Sequence, residues 1–249
     1  MTLLQTRELT RRFGGLAAVN RVSLSIQEGE VRSIIGPNGA GKTTMFNLIT
    51  GALAPTAGMI VFKGRDITGL APPAVFRLGI VRSFQISQVF PRLTVRENAA
   101  LMAWGRARSS GSPFARTRAT ADDVDRRVNA VLDQLHLAER ADQLAGTLAH
   151  GDRRLLEIAM VLVADPELLL LDEPTAGMSP EETKQTALLL RSLAPALTLV
   201  IVEHDMSVVM AISDRISVLH RGELLAEGPP EEIRANPEVR TAYLGGVRR

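Results

Sequence analysis

At positions 36–44 the chain reads Gly36-Pro37-Asn38-Gly39-Ala40-Gly41-Lys42-Thr43-Thr44, which matches the phosphate-loop pattern G-x-x-x-x-G-K-[ST] at every fixed position. An apolar segment, Val31–Ile35, precedes this loop and a helical pattern, Met45–Ile49, follows it, as the motif requires. Glycines let the backbone curl so that successive N–H groups point at phosphate oxygens, and the helix N-terminus adds its positive end. The pattern therefore predicts a nucleotide site in an α/β P-loop fold, in preference to a glycine-rich turn before a structural helix.

Two side chains of the phosphate loop (residues 36–44) carry chemistry of their own. Lys42 would place a mobile positive charge on the β- and γ-phosphates, and Thr43 would offer a hydroxyl to Mg²⁺. Basic residues of this chain are almost all arginine, and only Lys42, Lys63 and Lys184 are lysines. A lysine at this position therefore indicates a specific role.

Composition limits the classes of protein that the chain can form. Its 249 residues, 45% of them apolar and 22% charged, suffice for one large globular domain with a substantial core. The absence of cysteine excludes disulfides, thiolate metal sites and cysteine nucleophiles. A net charge of +2 argues against a nucleic-acid binder. The apolar runs are shorter than the roughly 20 residues of a membrane span, and from the mixed start Met1–Glu8 we expect no secretory signal.

Hydrophobic periodicity divides the chain into a β-rich start, a helical middle and an alternating end. Apolar strands separated by helices, as in the last third, are typical of a parallel sheet covered on both faces. Loop composition marks Ser109–Thr120, which we expect to be a surface linker; a basic membrane or partner contact is the alternative. The predicted strands are Val22–Ile26, Val31–Ile35, Ile60–Phe62, Leu168–Leu171 and Leu197–Val202, and the predicted helices are Val95–Trp104, Ala121–Leu135, Asp152–Val163 and Pro180–Leu193.

An acidic pair, Asp172-Glu173, follows the apolar strand Leu168–Leu171. Asp172 at the strand tip would hold Mg²⁺, and Glu173 would face the γ-phosphate and polarise a water. By itself such a pair fits helix capping equally well. His204 lies two residues beyond the strand that ends at Val202, which favours a functional histidine. No Asn-Lys-x-Asp motif is present, and its absence argues against a GTPase.

The order of these motifs resembles that of the ATP-binding subunit of ABC transporters over nearly the whole chain. In that family's pattern residues 36–44 are the Walker A loop, Leu168–Asp172 is Walker B, and Glu173 is the hydrolytic carboxylate. The resemblance implies ATP and Mg²⁺ as cofactors, with Thr43, Gln85 and Asp172 as metal ligands. It identifies two further catalytic residues, the Q-loop glutamine Gln85 and the switch histidine His204. It also identifies the D-loop Ala176–Ser179 and the adenine-stacking aromatic Phe13, for which a core position is the alternative.

The same family has a signature segment, here Leu148-Ala149-His150-Gly151-Asp152, that contacts the ATP of a partner subunit. It departs from the usual Leu-Ser-Gly-Gly-Gln because Ala149 lacks the hydroxyl, His150 replaces glycine and Asp152 replaces glutamine. Gly151 and the following helix N-terminus still offer backbone N–H groups. Such variation resembles the ATPases of branched-chain (hydrophobic) amino-acid importers, as do Ser83–Gln85, Leu93–Asn98, Arg154–Ala159, Glu203–Met206 and the tail Asn236–Gly245.

The resemblance implies a single ABC ATPase domain over residues 1–249 with a RecA-like, mostly parallel sheet. Residues 1–85 and 165–249 would form the nucleotide-binding core with an N-terminal antiparallel β subdomain. Residues 86–164 would form an inserted helical signature subdomain, and 230–249 a C-terminal tail helix. Val89, Phe90 and Leu93 are the expected docking surface for a membrane partner, with plain core packing as the alternative.

The function that the resemblance implies is ATP hydrolysis coupled to import of branched-chain or other hydrophobic amino acids. The implied partners are transmembrane permease subunits, a second ABC ATPase in a homo- or heterodimer and, indirectly, a periplasmic binding protein, with no nucleic acid. The expected location is peripheral, on the cytoplasmic face of the inner membrane. Two alternatives remain: an ATPase for lipid or lipopolysaccharide export, and a non-transport ABC ATPase acting in DNA repair or translation.

Overall fold

Two β-sheets organise the computed structural model, which describes residues 1–83, 89–109, 121–194 and 196–244. The first sheet is antiparallel, with strand order β2-β1-β4-β5. Its strands are β1 (Thr2–Phe13), β2 (Leu16–Gln27), β4 (Ala57–Phe62) and β5 (Arg65–Asp66).

The second sheet is mostly parallel and has the order β10-β9-β3-β8-β7-β6. Three adjacent strands, β3, β8 and β7, are buried at every residue, which explains the nearly continuous apolar sequences of β7 and β8. The strands are β3 (Val31–Ile35), β6 (Ile80–Arg82), β7 (Leu168–Asp172), β8 (Thr198–Val202), β9 (Arg215–His220) and β10 (Glu223–Gly228). The predicted α/β class with a parallel sheet and an antiparallel N-terminal sheet is confirmed.

The helices cover the sheets and build a separate layer after β6. Residues of α3, α4 and α5 pack on one another in a cluster that continues into β7 and α6. The helices are α1 (Lys42–Ile49), α2 (Pro72–Arg77), α3 (Val95–Ser109), α4 (Ala121–Gln134), α5 (His150–Leu162), α6 (Pro180–Leu193), α7 (Met206–Ile212), α8 (Pro230–Ala235) and α9 (Pro237–Leu244).

The C-terminal tail differs from the single helix expected over 230–249. Its described part holds two short helices, α8 and α9, separated at Asn236. Pro237 disfavours the helical conformation at the residue before it and has no N–H to continue the helical hydrogen bonds. The Asn236 side chain accepts a hydrogen bond from Glu238 N at 2.8 Å, which starts a new helix. Of the predicted loop 109–120, everything after Ser109 lies outside the described residues.

Candidate functional site

The phosphate loop connects β3 to α1, and its backbone fits closely against β2 and the turn between β9 and β10. Gly41 has φ +103°, and a Cβ there would lie 2.4 Å from the carbonyl oxygen of Ala18, so only glycine fits. Gly222 N donates to Ala40 O at 3.0 Å and fixes the loop from the other side. The loop is thus held in place by the backbone of neighbouring elements.

Lys42, the first residue of α1, points back into the curl of the loop. Its Nζ donates to the carbonyl oxygens of Gly36 at 2.7 Å and Pro37 at 3.1 Å. Burial lowers the pKa of Lys42, and the nearby carboxylates of Glu173 and Asp172 act in the opposite direction. The ammonium therefore lies between the loop and the acidic pair, where the phosphates of a nucleotide would need a positive charge.

Asp172 lies at the end of β7, level with the end of β3. Strand register pairs Asp172 with Val202 and Val202 with Ile34, which brings the carboxylate to the sheet edge where the phosphate loop begins. The side chain of Asp172 is 1% exposed, and its Oδ2 accepts a hydrogen bond from Arg82 Nη2 at 2.7 Å. Arg82 also donates to Asn47 Oδ1 of α1 at 2.6 Å. Arg82 therefore links β6, the strand that precedes position 85, to the metal-ligand candidate Asp172.

The residues near the loop suit Mg²⁺ bound together with a nucleotide. Mg²⁺ uses one or two protein oxygens and completes its shell with phosphate and water. Asp172 offers a carboxylate, and Thr43 offers an exposed hydroxyl in the first turn of α1. Among the described residues no group of three or more His, Cys, Asp or Glu side chains could hold a metal by itself. This donor set fits a metal that depends on phosphate ligands.

Glu173 does not continue the strand but turns out of it with φ +50°. Its N–H donates to Val202 O at 2.8 Å, and its Oε1 lies 2.8 Å from His204 Nε2. Both side chains are partly exposed, in contrast to the buried Asp172. The two members of the acidic pair thus face different surroundings, and Glu173 and His204 are brought together.

The helix α7 begins at Met206, two residues after His204. Asp205 is the N-cap, and its Oδ1 accepts hydrogen bonds from Ser207 N at 2.8 Å and Ser207 Oγ at 2.6 Å. On the inner side, Glu203 is 4% exposed and accepts from Thr175 N at 3.0 Å. Glu203 thereby links Thr175, which follows the acidic pair, to the end of β8.

We expect Asp205→Ala to lower the free energy of unfolding at pH 7 by about 1 kcal/mol, the usual value of an N-cap. Bonds from the Ser207 hydroxyl and then its N–H lower the pKa of Asp205, so the cap stabilises the folded state above the usual carboxyl pKa. The difference from wild type should shrink as the pH falls through that lowered pKa. Urea unfolding at pH 7 and at acid pH measures it. Asp205→Asn should retain the cap without the pH dependence, and equal losses for both variants would contradict the assignment.

The signature segment ends in the first turn of α5. Leu148 is buried and Ala149 is the helix N-cap, with no side-chain hydrogen bond. Gly151 lies close to α6, where a Cβ would be 2.3 Å from Glu182 Oε1 and would require that side chain to move. Asp152 pairs with Arg140 at 3.3 Å, and the His150 ring lies against Gly177 of the predicted D-loop.

A cavity of about 270 Å³ lies between α5 and the end of β7. His150, Asp172 and Glu173 all line it, whereas none of the residues 36–44 does. The fold therefore places the signature segment near the acidic pair of the same chain.

Phe13 and Gln85 are the two predicted site residues that remain. Phe13 ends β1 and is 46% exposed, with the Arg11 guanidinium 4.7 Å from its ring centre, so the alternative of a core phenylalanine is wrong. Its stacking on adenine stays a prediction. Gln85, predicted as catalytic and as a metal ligand, lies outside the described residues. Sequence patterns assigned no role at the site to Arg82 or Arg154, which contact the acidic pair from β6 and α5.

Comparison with protein families matches residues 19–176 to the ABC transporter family and residues 223–248 to the branched-chain amino acid ATP-binding cassette transporter family. The chain belongs to the ABC transporter family. Within the described residues of this cassette, no helix is long and apolar enough to cross a membrane.

Several curated ABC proteins are similar to the chain over its length. The high-affinity branched-chain amino acid transport ATP-binding protein LivG of Salmonella typhimurium is 47% identical, that of Escherichia coli 45%, and BraF of Pseudomonas aeruginosa 43%; each match covers 98% of both chains. An ABC transporter cassette solved in its ADP conformation is 32% identical with a TM-score of 0.87, over 98% of this chain and 99% of that one. A nucleotide-free cassette gives 31% and 0.83 with the same coverage.

Proposed function

We propose that this chain is the ATP-hydrolysing subunit of an importer for branched-chain or other hydrophobic amino acids. The arrangement of Lys42 between the phosphate loop and the acidic pair is the observation that carries the ATPase role. The substrate class is supported by the full-length similarity to LivG and BraF proteins and by the C-terminal match at residues 223–248. Export of lipid or lipopolysaccharide and non-transport work have no comparable support.

Binding of ATP would use the backbone of the phosphate loop and side chains of several elements around it. Loop N–H groups and the Lys42 ammonium would hold the β- and γ-phosphates, while Phe13 would stack on the base from the end of β1. Thr43 and Asp172 would hold Mg²⁺, with Gln85 as a further ligand, and the bound ion would neutralise phosphate charge. To bind the ion, Asp172 would have to loosen its contact with Arg82.

Hydrolysis would depend on Glu173 and His204. The partly exposed carboxylate of Glu173 can accept a proton from an attacking water, whereas the buried Asp172 is engaged by Arg82. His204 Nε2, 2.8 Å from Glu173 Oε1, would orient that carboxylate and contact the γ-phosphate side of the site. The roles divide between the two carboxylates because their surroundings differ.

A complete site would need two ATPase subunits. Membership of the ABC transporter family supports a head-to-tail pair, in which each ATP lies between one chain's loop and the other's signature. A cassette solved as a dimer with ADP and Pi is 26% identical to this chain, with a TM-score of 0.77 over 92% of this chain and 99% of that one. The partner would be a second copy or a related ATPase.

The helical layer would contact the permease. Among the described residues of this layer, four large apolar side chains are exposed: Phe90, Leu101, Trp104 and Leu144. Val89, by contrast, packs partly buried against the core. Exposed apolar groups in one subdomain favour a protein partner, and the assembly would place the chain on the cytoplasmic face of the membrane, with a periplasmic binding protein supplying substrate.

The test is reconstitution of the chain in liposomes with its permeases and binding protein. Leucine-loaded binding protein should stimulate ATP hydrolysis and drive leucine uptake, and both should disappear when Lys42→Ala replaces the wild-type chain. ATPase activity that responds to lipid and not to amino acids would overturn the import proposal while leaving the ATPase role in place.

We also expect the isolated chain to be mainly monomeric without nucleotide and to hydrolyse ATP weakly. Ala149 has no hydroxyl for a partner's ATP, so nucleotide-driven pairing has one hydrogen bond fewer. Sedimentation velocity with and without ATP measures the assembly. A tight dimer in the absence of nucleotide would contradict this expectation.

A further inference from the structure

Arg154 of α5 reaches across the cavity beside the acidic pair and binds the backbone of the loop that carries Glu173. Its Nη2 donates to Glu173 O at 2.6 Å and to Asp172 O at 3.1 Å, and its Nε donates to Pro174 O at 3.1 Å. Its Nη1 forms an ion pair with Glu157, one turn further along α5. One guanidinium thus holds three consecutive carbonyl groups.

The bound loop has a backbone conformation that needs such support. Glu173 has φ +50°, a left-handed conformation that non-glycine residues adopt rarely and keep only where the surroundings enforce it. Val202 O fixes the N–H of Glu173, and Arg154 fixes its carbonyl group and that of Asp172. The peptide planes on both sides of Glu173 are therefore held in a conformation in which its carboxylate faces His204.

The environment of Arg154 favours a positioning role over simple packing. The guanidinium and the Glu157 carboxylate are 12% and 10% exposed and line the same cavity as His150, Asp172 and Glu173. Arg154 also lies on the helix whose first turn contains His150 and Gly151 of the signature segment. A shift of α5 would therefore act on the backbone of Glu173 directly.

We propose that Arg154 is a positioning residue for hydrolysis, which holds the Glu173 carboxylate in its reactive orientation and links that orientation to the position of the signature helix. The inference rests on the proposed role of Glu173 in activating water. Arg154 itself touches no reacting atom and acts through the backbone of residues 172–174. Sequence patterns do not reveal it, because the residues it binds are 18 to 20 positions away in the chain.

The test combines Arg154→Gln and Arg154→Lys with Glu173→Gln in the full chain. Misplacement of a catalytic group by about an ångström lowers turnover on the order of 10²-fold, so Arg154→Gln should lower kcat by about that factor with KM and the Kd for a fluorescent ATP analogue unchanged. Arg154→Lys keeps a positive donor and should rescue part of the loss; it also serves as the test variant if Arg154→Gln fails to fold. In the Glu173→Gln background, Arg154→Gln should cause no further loss.

A matched control is Arg191→Gln, which removes a guanidinium that pairs with Asp214 at 2.8 Å and donates to Ile212 O at 3.3 Å, away from the site. Its kcat should stay at the wild-type value. Equal losses from Arg154→Gln in both backgrounds, or wild-type turnover in Arg154→Gln, would overturn the inference. Full turnover in Glu173→Gln alone would instead remove the proposed role of Glu173, and the inference with it.

Discussion

Replacing Lys42 with alanine is expected to abolish productive ATP binding. The ammonium is the positive charge that the loop itself holds, bonded to the carbonyl oxygens of Gly36 and Pro37 and close to both members of the acidic pair. Without it the phosphates would face Asp172 and Glu173 with less compensation. Loss of charged hydrogen bonds costs about 1.5–3 kcal/mol each, so affinity should fall on the order of 10²-fold or more.

Neighbouring cations cannot replace Lys42. Arg82 is bound to Asp172 and Asn47, and Arg32 is buried at the start of β3 in a pair with Glu30 at 2.6 Å. Titration with a fluorescent ATP analogue measures the loss. Lys63→Ala is the matched control, because Lys63 is half exposed and pairs with Glu167, and its affinity should equal that of wild type. Unchanged affinity in Lys42→Ala would show that the phosphate-loop assignment is wrong.

Elements with a strong periodic pattern were predicted from the sequence nearly to the residue. The strand Val31–Ile35 and the helix Pro180–Leu193 have the predicted bounds. The strand is buried at every residue, and three of its five residues, Val31, Ile34 and Ile35, are apolar. In the helix, Ser179 and Glu182 form a capping box, with Pro180 at the first helical position. Local sequence and tertiary environment agree in both elements, which makes them predictable.

Other elements carry a weaker signal. The long strand β1 was not predicted, since its pairing with β2 contains several register shifts that interrupt the alternation of apolar and polar residues. The final hairpin of β9 and β10 was also missed, and most residues of β10 are only partly buried. Such strands depend on their neighbours for stability more than on their own pattern.

The candidate site likewise contains residues that the sequence predicted and residues that it did not. The phosphate loop, the acidic pair and His204 follow buried strands, so position in the sequence predicts their place at the sheet edge. Arg82 and Arg154 were not predicted, because arginine is abundant in this chain and a contact to a distant carbonyl or carboxylate leaves no local pattern. The roles of the residues toward ATP and Mg²⁺ stay predictions that mutation must test.

Glu173→Gln is expected to separate ATP binding from hydrolysis. Glutamine keeps the size and hydrogen-bonding reach of the side chain and can still meet His204, but it cannot accept a proton from water. Asp172 cannot serve instead, because it is buried at the end of β7 and its carboxylate is held by Arg82 at 2.7 Å. Turnover should fall roughly 10²- to 10⁴-fold, the usual contribution of a positioned general base, while ATP binds nearly as well as in wild type.

The matched control variant is Asp172→Asn, because the two carboxylates have different surroundings. That variant removes charge from the metal-ligand candidate, so its turnover should be low and should recover when the Mg²⁺ concentration is raised. The turnover of Glu173→Gln should not respond to Mg²⁺.

Since binding survives and hydrolysis is blocked, Glu173→Gln should accumulate an ATP-bound closed dimer. Size-exclusion chromatography with ATP and Mg²⁺, and with the cognate partner present, would detect this dimer. Retention of more than about a tenth of wild-type turnover would show that Glu173 is not the main base. Loss of ATP binding would instead place Glu173 in the metal site and reverse the division of roles that its turn out of β7 and its contact with His204 support.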